Sequence, residues 1–277
     1  MLTQVKAAGV NGIDFKVRQG FVRDAFPLSL PVILGSEMAG TVVEVGPEVE
    51  GFEPGDRVMG WLAGFGAFAD YVAVDAVKLA RTPDGLRDVQ AGAIPLAALA
   101  AWHLIHTVGD VRAGQTVLIH GASGNVGTFA VQFAKAAGAR VLAVTANTGI
   151  AAVAALGADR VIDRQKERFE EVARGVDLAV DVVGGEVLHR TWAVMAPGGL
   201  VLSTVTPEVA NAPDGLRGQF SMTQLDTPHL QAVADQVAAG TLKFSVGEVV
   251  SLAELAHAID RNWNGRAQGK MVVDFNR

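Results

Sequence analysis

The chain has 277 residues, half of them apolar and 19% charged, with a formal net charge of −6 and no cysteine. Its length suits one large domain or two ordinary ones with a sizeable core. The missing cysteines exclude disulfides, thiol catalysis and every cysteine-containing zinc site, and an acidic balance without a lysine- or arginine-rich run argues against a nucleic-acid surface. Apolar stretches are interrupted by Gly, Pro, His or charge, so no membrane span is expected. The first residues lack the basic-then-apolar layout of a signal peptide, and a soluble cytoplasmic protein is the expectation.

In chain order, Met1–Gly9 reads as a strand with no preceding element to pair with, and is expected to leave an unpaired edge. Val10–Asp14 turns into a short helix over Phe15–Gln19. Gly40–Gly46 is a strand, the Pro54-Gly55 turn leads into another, and Ala67–Val74 follows a glycine-rich loop. These short strands predict a small barrel or sandwich. Asp88–Thr107 is helical in character and broken once at Pro95.

From Thr116 the pattern alternates. Strands are predicted at Thr116–His120, Arg140–Thr145, Arg160–Ile162, Leu178–Asp181, Gly199–Thr204 and, more faintly, Gly218–Met222. Helices fill the gaps, which is the signature of a doubly wound parallel sheet. A helix with Thr227 as N-cap and Pro228 at its first position follows. Another opens on a Ser251–Glu254 capping box, and Lys270–Phe275 closes the chain as a strand. The predicted architecture places residues 1–95 and 226–277 in one discontinuous domain and 96–225 in an inserted nucleotide-binding domain.

The most informative stretch is Val117-Leu-Ile-His-Gly-Ala-Ser-Gly-Asn-Val-Gly127. A buried strand turns through Gly121, Ala122, Ser123 and Gly124 into a helix starting near Asn125 and Val126. Gly124 permits close backbone approach to a ligand, and Gly127 permits tight packing of helix on strand. Free N–H groups at the helix start suit a dinucleotide pyrophosphate. Ala122 stands where the usual motif has its first glycine. The neighbouring strand ends Val144-Thr-Ala-Asn-Thr148 with no acid to bind a ribose 2′-OH. Thr145, Asn147 and Thr148 can donate hydrogen bonds there, and Arg164 can grip a 2′-phosphate, so NADPH is expected over NADH. His103 and His106 share one helix face, but no acid or cysteine joins them as a metal site. Neither a G-x-S-x-G elbow nor a Walker A sequence is present.

These residues, together with Ala7-Ala-Gly-Val-Asn-Gly-Ile-Asp14, Leu34-Gly-Ser-Glu-Met-Ala-Gly40, Gly55-Asp-Arg-Val58, Gly66-Ala-Phe-Ala-Asp-Tyr-Val72, Ile94 to Trp102, Leu156 to Asp163, Asp181-Val-Val-Gly-Gly185 and Gly269-Lys-Met-Val-Val273, resemble the zinc-free quinone oxidoreductases of the medium-chain dehydrogenase/reductase superfamily. The resemblance implies an α/β protein in which a Rossmann-type doubly wound sheet is inserted in a β-rich GroES-like catalytic domain. It also implies that about 30 residues typical of the family's front end are missing, leaving the domain N-terminally truncated. In the superfamily's zinc enzymes a cysteine and a histidine ligate zinc where Asn11 and Ser36 stand here, so metal-free hydride transfer from NADPH to a quinone or an α,β-unsaturated carbonyl is implied. Asn11 becomes the catalytic candidate, as a donor to a developing oxyanion or a partner of the cofactor ribose. The backbone near Val183, Thr204 and Val205 is implied to face the nicotinamide. Lys270 is a candidate contact to a cofactor phosphate, and a homodimer is possible. The alternative is a non-catalytic NADPH-binding protein with a redox-sensing or interaction role.

Overall fold

The computed structural model describes residues 1–25, 27–146, 149–264 and 269–277. The chain divides into two compact units, Met1–Leu99 with Leu225–Arg277, and Ala100–Gln224.

The first unit opens with β1 (Leu2–Gly9), α1 (Gly12–Arg18), β2 (Glu37–Glu44), β3 (Arg57–Trp61), β4 (Tyr71–Ala73), β5 (Leu79–Arg81), α2 (Asp88–Ala91) and the start of α3 (Pro95–Trp102). In the second unit β6 (Thr116–His120), α4 (Asn125–Ala136), β7 (Arg140–Thr145), α5 (Ile150–Ala154), β8 (Arg160–Asp163), α6 (Phe169–Val172), β9 (Val176–Asp181), α7 (Glu186–Thr191), β10 (Met195–Ser203) and β11 (Arg217–Phe220) alternate. The chain returns to the first unit with α8 (Thr227–Ala238), β12 (Val246–Val250), α9 (Leu255–Trp263) and β13 (Lys270–Asp274).

The first unit's sheet runs β12-β13-β1-β2-β3-β5, with β4 alongside β1. The expected unpaired edge at Met1–Gly9 is corrected by this order. β1 pairs with β2 along one side; on the other, Ala7, Ala8 and Gly9 face Asp274, Val273 and Val272 of β13, and Leu2, Thr3 and Gln4 face Ala73, Val72 and Tyr71 of β4. Its backbone groups are therefore satisfied from both sides. Val5, Met38, Val58, Leu79, Met271 and Val273 fill the core beneath. Phe15 of α1 stacks on Trp263 of α9 at 4.5 Å between ring centroids.

The second unit's parallel sheet runs β11-β10-β9-β6-β7-β8. Strand order reverses between β6 and β9, and in such sheets ligands bind beyond the strands' carboxyl ends at that reversal. The faint final strand is present as β11, pairing Arg217–Phe220 with Leu200–Ser203 of β10. A Cβ on Gly218 would lie 1.8 Å from the Val209 carbonyl oxygen, so β11 needs glycine there.

One local expectation changes. Asp226, not Thr227, caps α8, its Oδ1 accepting from the His229 N–H at 3.2 Å; a carboxylate one residue earlier leaves Thr227 free to donate to the Val77 carbonyl at 2.5 Å. The run 88–107 is long and apolar enough to cross a membrane by length and composition, with 72% of its most apolar window buried inside the protein.

Candidate active site

At the reversal point each glycine has a distinct physical reason. Gly121 sits at φ +70, where its Cβ would meet Val182 Cγ2 at 2.8 Å and Val183 Cγ2 at 3.3 Å. A Cβ on Gly127 would lie 2.3 Å from Gly121 O and 2.7 Å from Ala122 Cα, so only glycine lets α4 lie this close to the turn. Gly124 is exposed, and a Cβ there would find only Gly121 O, at 3.1 Å; its other side is open. The N–H groups of Asn125, Val126 and Gly127 open α4 with no preceding helical carbonyl to bond. Three consecutive positions thus present backbone donors and the positive end of a twelve-residue helix.

Thr145 at the end of β7 is only 3% exposed, and its hydroxyl donates to Ser123 Oγ at 2.7 Å. The expectation that Thr145 donates to a phosphate is corrected: its proton braces the glycine turn. Asn147 and Thr148 lie outside the described residues. Arg164 follows β8, its N–H bonded to the Thr145 carbonyl at 2.9 Å, which anchors it beside the end of β7. Its side chain is exposed, and among the described residues no carboxylate pairs with it.

Val183 follows β9 and is 52% exposed; Thr204 and Val205 follow β10 and are half-buried. Sequence reasoning passed over the two buried residues beneath these turns, Asp181 and Ser203, each fully buried and joined at 2.9 Å. An acid ending an otherwise apolar strand, directly before Val-Val-Gly-Gly, was the available signal.

His120 ends β6. Thr191 Oγ1 donates to the Val187 carbonyl at 2.7 Å, so it accepts from His120 Nε2 at 2.9 Å, and Nδ1 is left a buried acceptor without a partner among the described residues. Burial drives the imidazole pKa down to about 4; Asp181 opposes this and Arg190 adds to it. The unfolded chain takes up this proton near pH 6.5, the folded chain only near 4, so stability falls as pH drops through that window. Relative to His120→Gln, the wild type is expected to lose about 2 kcal/mol between pH 7 and pH 5, read by urea unfolding at both values. Parallel losses in both proteins would refute this.

In the first unit the corresponding cluster is Asn11, Asp14, Glu37 and Lys270. Lys270 and Glu37 are fully buried and ion-paired. The ammonium also donates to Asn11 Oδ1 at 2.6 Å and to the Val10 carbonyl at 3.2 Å, which uses all three of its protons. Glu37 accepts from Asn11 Nδ2 at 2.8 Å and, through Oε2, from the Leu96 N–H at 2.7 Å, capping the start of α3. Lys270 as a phosphate contact is therefore corrected: it is enclosed and saturated. Asn11 is corrected in part. Its Nδ2 donates to Glu37 and to the Gly9 carbonyl at 3.2 Å, leaving no hydrogen for an oxyanion. What it retains is one lone pair on Oδ1, polarised by Lys270. Asp14 accepts from the N–H groups of Asn11 at 2.8 Å and Gly35 at 3.1 Å, tying together the segments that carry Asn11 and Ser36. Burial raises its pKa to about 6 against those hydrogen bonds and the Lys270 charge, so its share of stability is lost as pH rises from about 3.8 through 6.

Comparison with known proteins assigns the family. The alcohol dehydrogenase GroES-like domain matches residues 1–84, and the zinc-binding dehydrogenase family matches 156–273. The 2-methylene-furan-3-one reductase of Solanum lycopersicum is 33% identical, covering 99% of this chain and 71% of its own length. The mitochondrial NAD(P)H oxidoreductase RTN4IP1 of Danio rerio is 31% identical, covering 99% and 83%. The erythronolide synthase EryA2 of Saccharopolyspora erythraea is 34% identical over 97% of this chain, which spans 8% of that protein's length. Among solved structures, the quinone oxidoreductase of Coxiella burnetii superposes with a TM-score of 0.91 at 29% identity, covering 99% of this chain and 90% of its own. The chain belongs to the quinone oxidoreductase family of the medium-chain dehydrogenase/reductase superfamily, with a GroES-like and a Rossmann-type part.

Proposed function

We propose that this chain is an NADPH-dependent oxidoreductase that reduces a quinone or an α,β-unsaturated carbonyl without a metal ion. The observation that carries the cofactor class is the glycine turn at the reversal point, where Gly127 is irreplaceable for packing and Gly124 is open to a ligand. Names among its relatives, a quinone oxidoreductase and a 2-methylene-furan-3-one reductase, support the acceptor class.

When bound, NADPH supplies a hydride from C4 of its nicotinamide. The N–H groups of Asn125, Val126 and Gly127 hold the pyrophosphate, with Gly121, Ser123 and Gly124 shaping the approach. Arg164 holds the 2′-phosphate. Val183, Thr204 and Val205 flank the nicotinamide. In the first unit Asn11 is the candidate for a polar contact, as an acceptor at Oδ1. Backbone donors stabilise the negative charge developing on the acceptor oxygen, and water supplies the proton.

Zinc does not fit the donor set. Asn11 and Ser36 replace the expected ligands, and Glu37 is held by Lys270. Purified protein is expected to contain no stoichiometric zinc; elemental analysis giving one zinc per chain, lost with activity on chelation, would overturn this.

The test of the cofactor reading is kcat/KM with NADPH and NADH in wild type and Arg164→Ala. The wild type is expected to prefer NADPH, and the variant to lose about 1.5–3 kcal/mol of that preference. Equal use of NADH by the wild type would sink the cofactor assignment, and an unchanged preference in the variant would clear Arg164. Turnover of 1,4-benzoquinone or an enone separates catalysis from a purely cofactor-binding role.

A further inference from the structure

We propose that Asp181 and Ser203 are positioning residues for the nicotinamide end of the cofactor, holding in place the two turns, 182–185 and 204–206, that leave β9 and β10. The proposal rests on the cofactor reading above. Asp181 and Ser203 face each other in the β9–β10 register, and both are fully buried. Asp181 Oδ1 accepts the N–H groups of Val183 at 2.9 Å and Gly184 at 2.8 Å. Its Oδ2 accepts the Ser203 hydroxyl at 2.9 Å. Having donated that proton, Ser203 Oγ accepts the N–H groups of Val205 at 3.3 Å and Thr206 at 3.4 Å. The Thr204 N–H bonds the Asp181 carbonyl at 3.2 Å. One carboxylate and one hydroxyl thus organise four backbone N–H groups across two turns, and the Asp181 main-chain carbonyl takes a fifth.

Two observations argue that this network serves a ligand and does more than end two strands. Among the described residues, no lysine or arginine is ion-paired with Asp181. A buried carboxylate compensated by N–H and O–H donors alone is stable only if every bond is kept, so any shift in either turn is strongly resisted. The turn it holds is also an unusual one: Gly184 and Gly185 lie at φ +77 and +63. That turn places Val183 with half its surface in solvent, and a Cβ on Gly121 would come within 3.3 Å of it. An exposed apolar side chain is thereby set against the glycine turn at the crevice, a suitable wall for one face of a flat, weakly polar ring. Preorganising such a wall lowers the ordering cost of binding.

The experiment uses the full chain as wild type, Ser203→Ala, Ser203→Thr and Asp181→Asn. Each is titrated calorimetrically with NADPH and with adenosine 2′,5′-bisphosphate, the adenosine end alone, and assayed for kcat with 1,4-benzoquinone. Asp181→Asn can still accept from Val183 and Gly184 but leaves the Ser203 hydroxyl proton without an acceptor. The expected result is an NADPH affinity about tenfold weaker and a lower kcat in Ser203→Ala and Asp181→Asn, with bisphosphate affinity unchanged and Ser203→Thr close to wild type. NADPH affinity and kcat unaltered in Ser203→Ala would overturn the proposal. So would an equal weakening of both ligands, which marks a merely structural role. Should Asp181→Asn fail to fold, the two Ser203 variants decide. Wild-type protein that bound neither ligand would overturn this proposal together with the function it rests on, and the wild-type titrations alone identify that case.

Discussion

Lys270→Met is expected to destabilise the first unit by about 3–5 kcal/mol, the usual cost of removing one partner from a buried ion pair. The reason is local. Glu37 has no exposed surface, and without the ammonium its charge is answered only by Asn11 Nδ2 and the Leu96 N–H. Asn11 Oδ1 and the Val10 carbonyl lose a donor at the same time. The double variant Glu37→Gln with Lys270→Met should recover much of the loss, because it removes the stranded charge as well. Guanidinium unfolding followed by tryptophan fluorescence measures both; Trp61 and Trp263 report on this unit. A single variant as stable as wild type, or a double variant no better than the single, would refute the account.

Gly127→Val is expected to cost the second unit more than about 3 kcal/mol and to abolish nucleotide binding. Its Cβ would come within 2.3 Å of the Gly121 carbonyl oxygen and 2.7 Å of Ala122 Cα. Both are main-chain atoms, so relief requires moving α4 away from the turn. Gly124→Ala is the informative contrast. Its Cβ meets only Gly121 O, at 3.1 Å, so the fold should change little while nucleotide affinity drops. Urea unfolding and an NADPH titration on both variants separate packing from ligand approach. Equal stability losses in the two would show that this division of labour between the glycines is wrong.

The second unit was largely legible in the sequence because its signals are local. Thr116–His120 and Arg140–Thr145 form strands with the predicted boundaries, since runs of Val, Leu, Ile and Ala flanked by Gly admit few other readings. Gly127 was read as a packing glycine from its place in the turn, and the backbone contacts at that position bear this out. The candidate site was less legible where a side chain's partner lies far along the chain. Lys270 reads as a candidate phosphate contact until β13 is laid against β1, which brings its ammonium beneath Asn11 and beside Glu37. Thr145 reads as a free hydroxyl until β6 and β7 align and Ser123 comes within 2.7 Å.

The sequence by itself determined the alternation of strands and helices, the glycine turn at the start of α4, the absence of cysteine ligands and the absence of an acid after β7. Each is a property of adjacent residues and of their periodicity. Only the tertiary structure decided which polar groups remain available to a ligand. Hydrogen-bonding capacity is finite: once Asn11 has given both amide hydrogens to Glu37 and Gly9, and Lys270 all three of its own, they have none for a substrate. The same assembly placed β1 inside its sheet, because the strands that satisfy its second side, β4 and β13, arrive from distant parts of the chain that no local pattern connects to it.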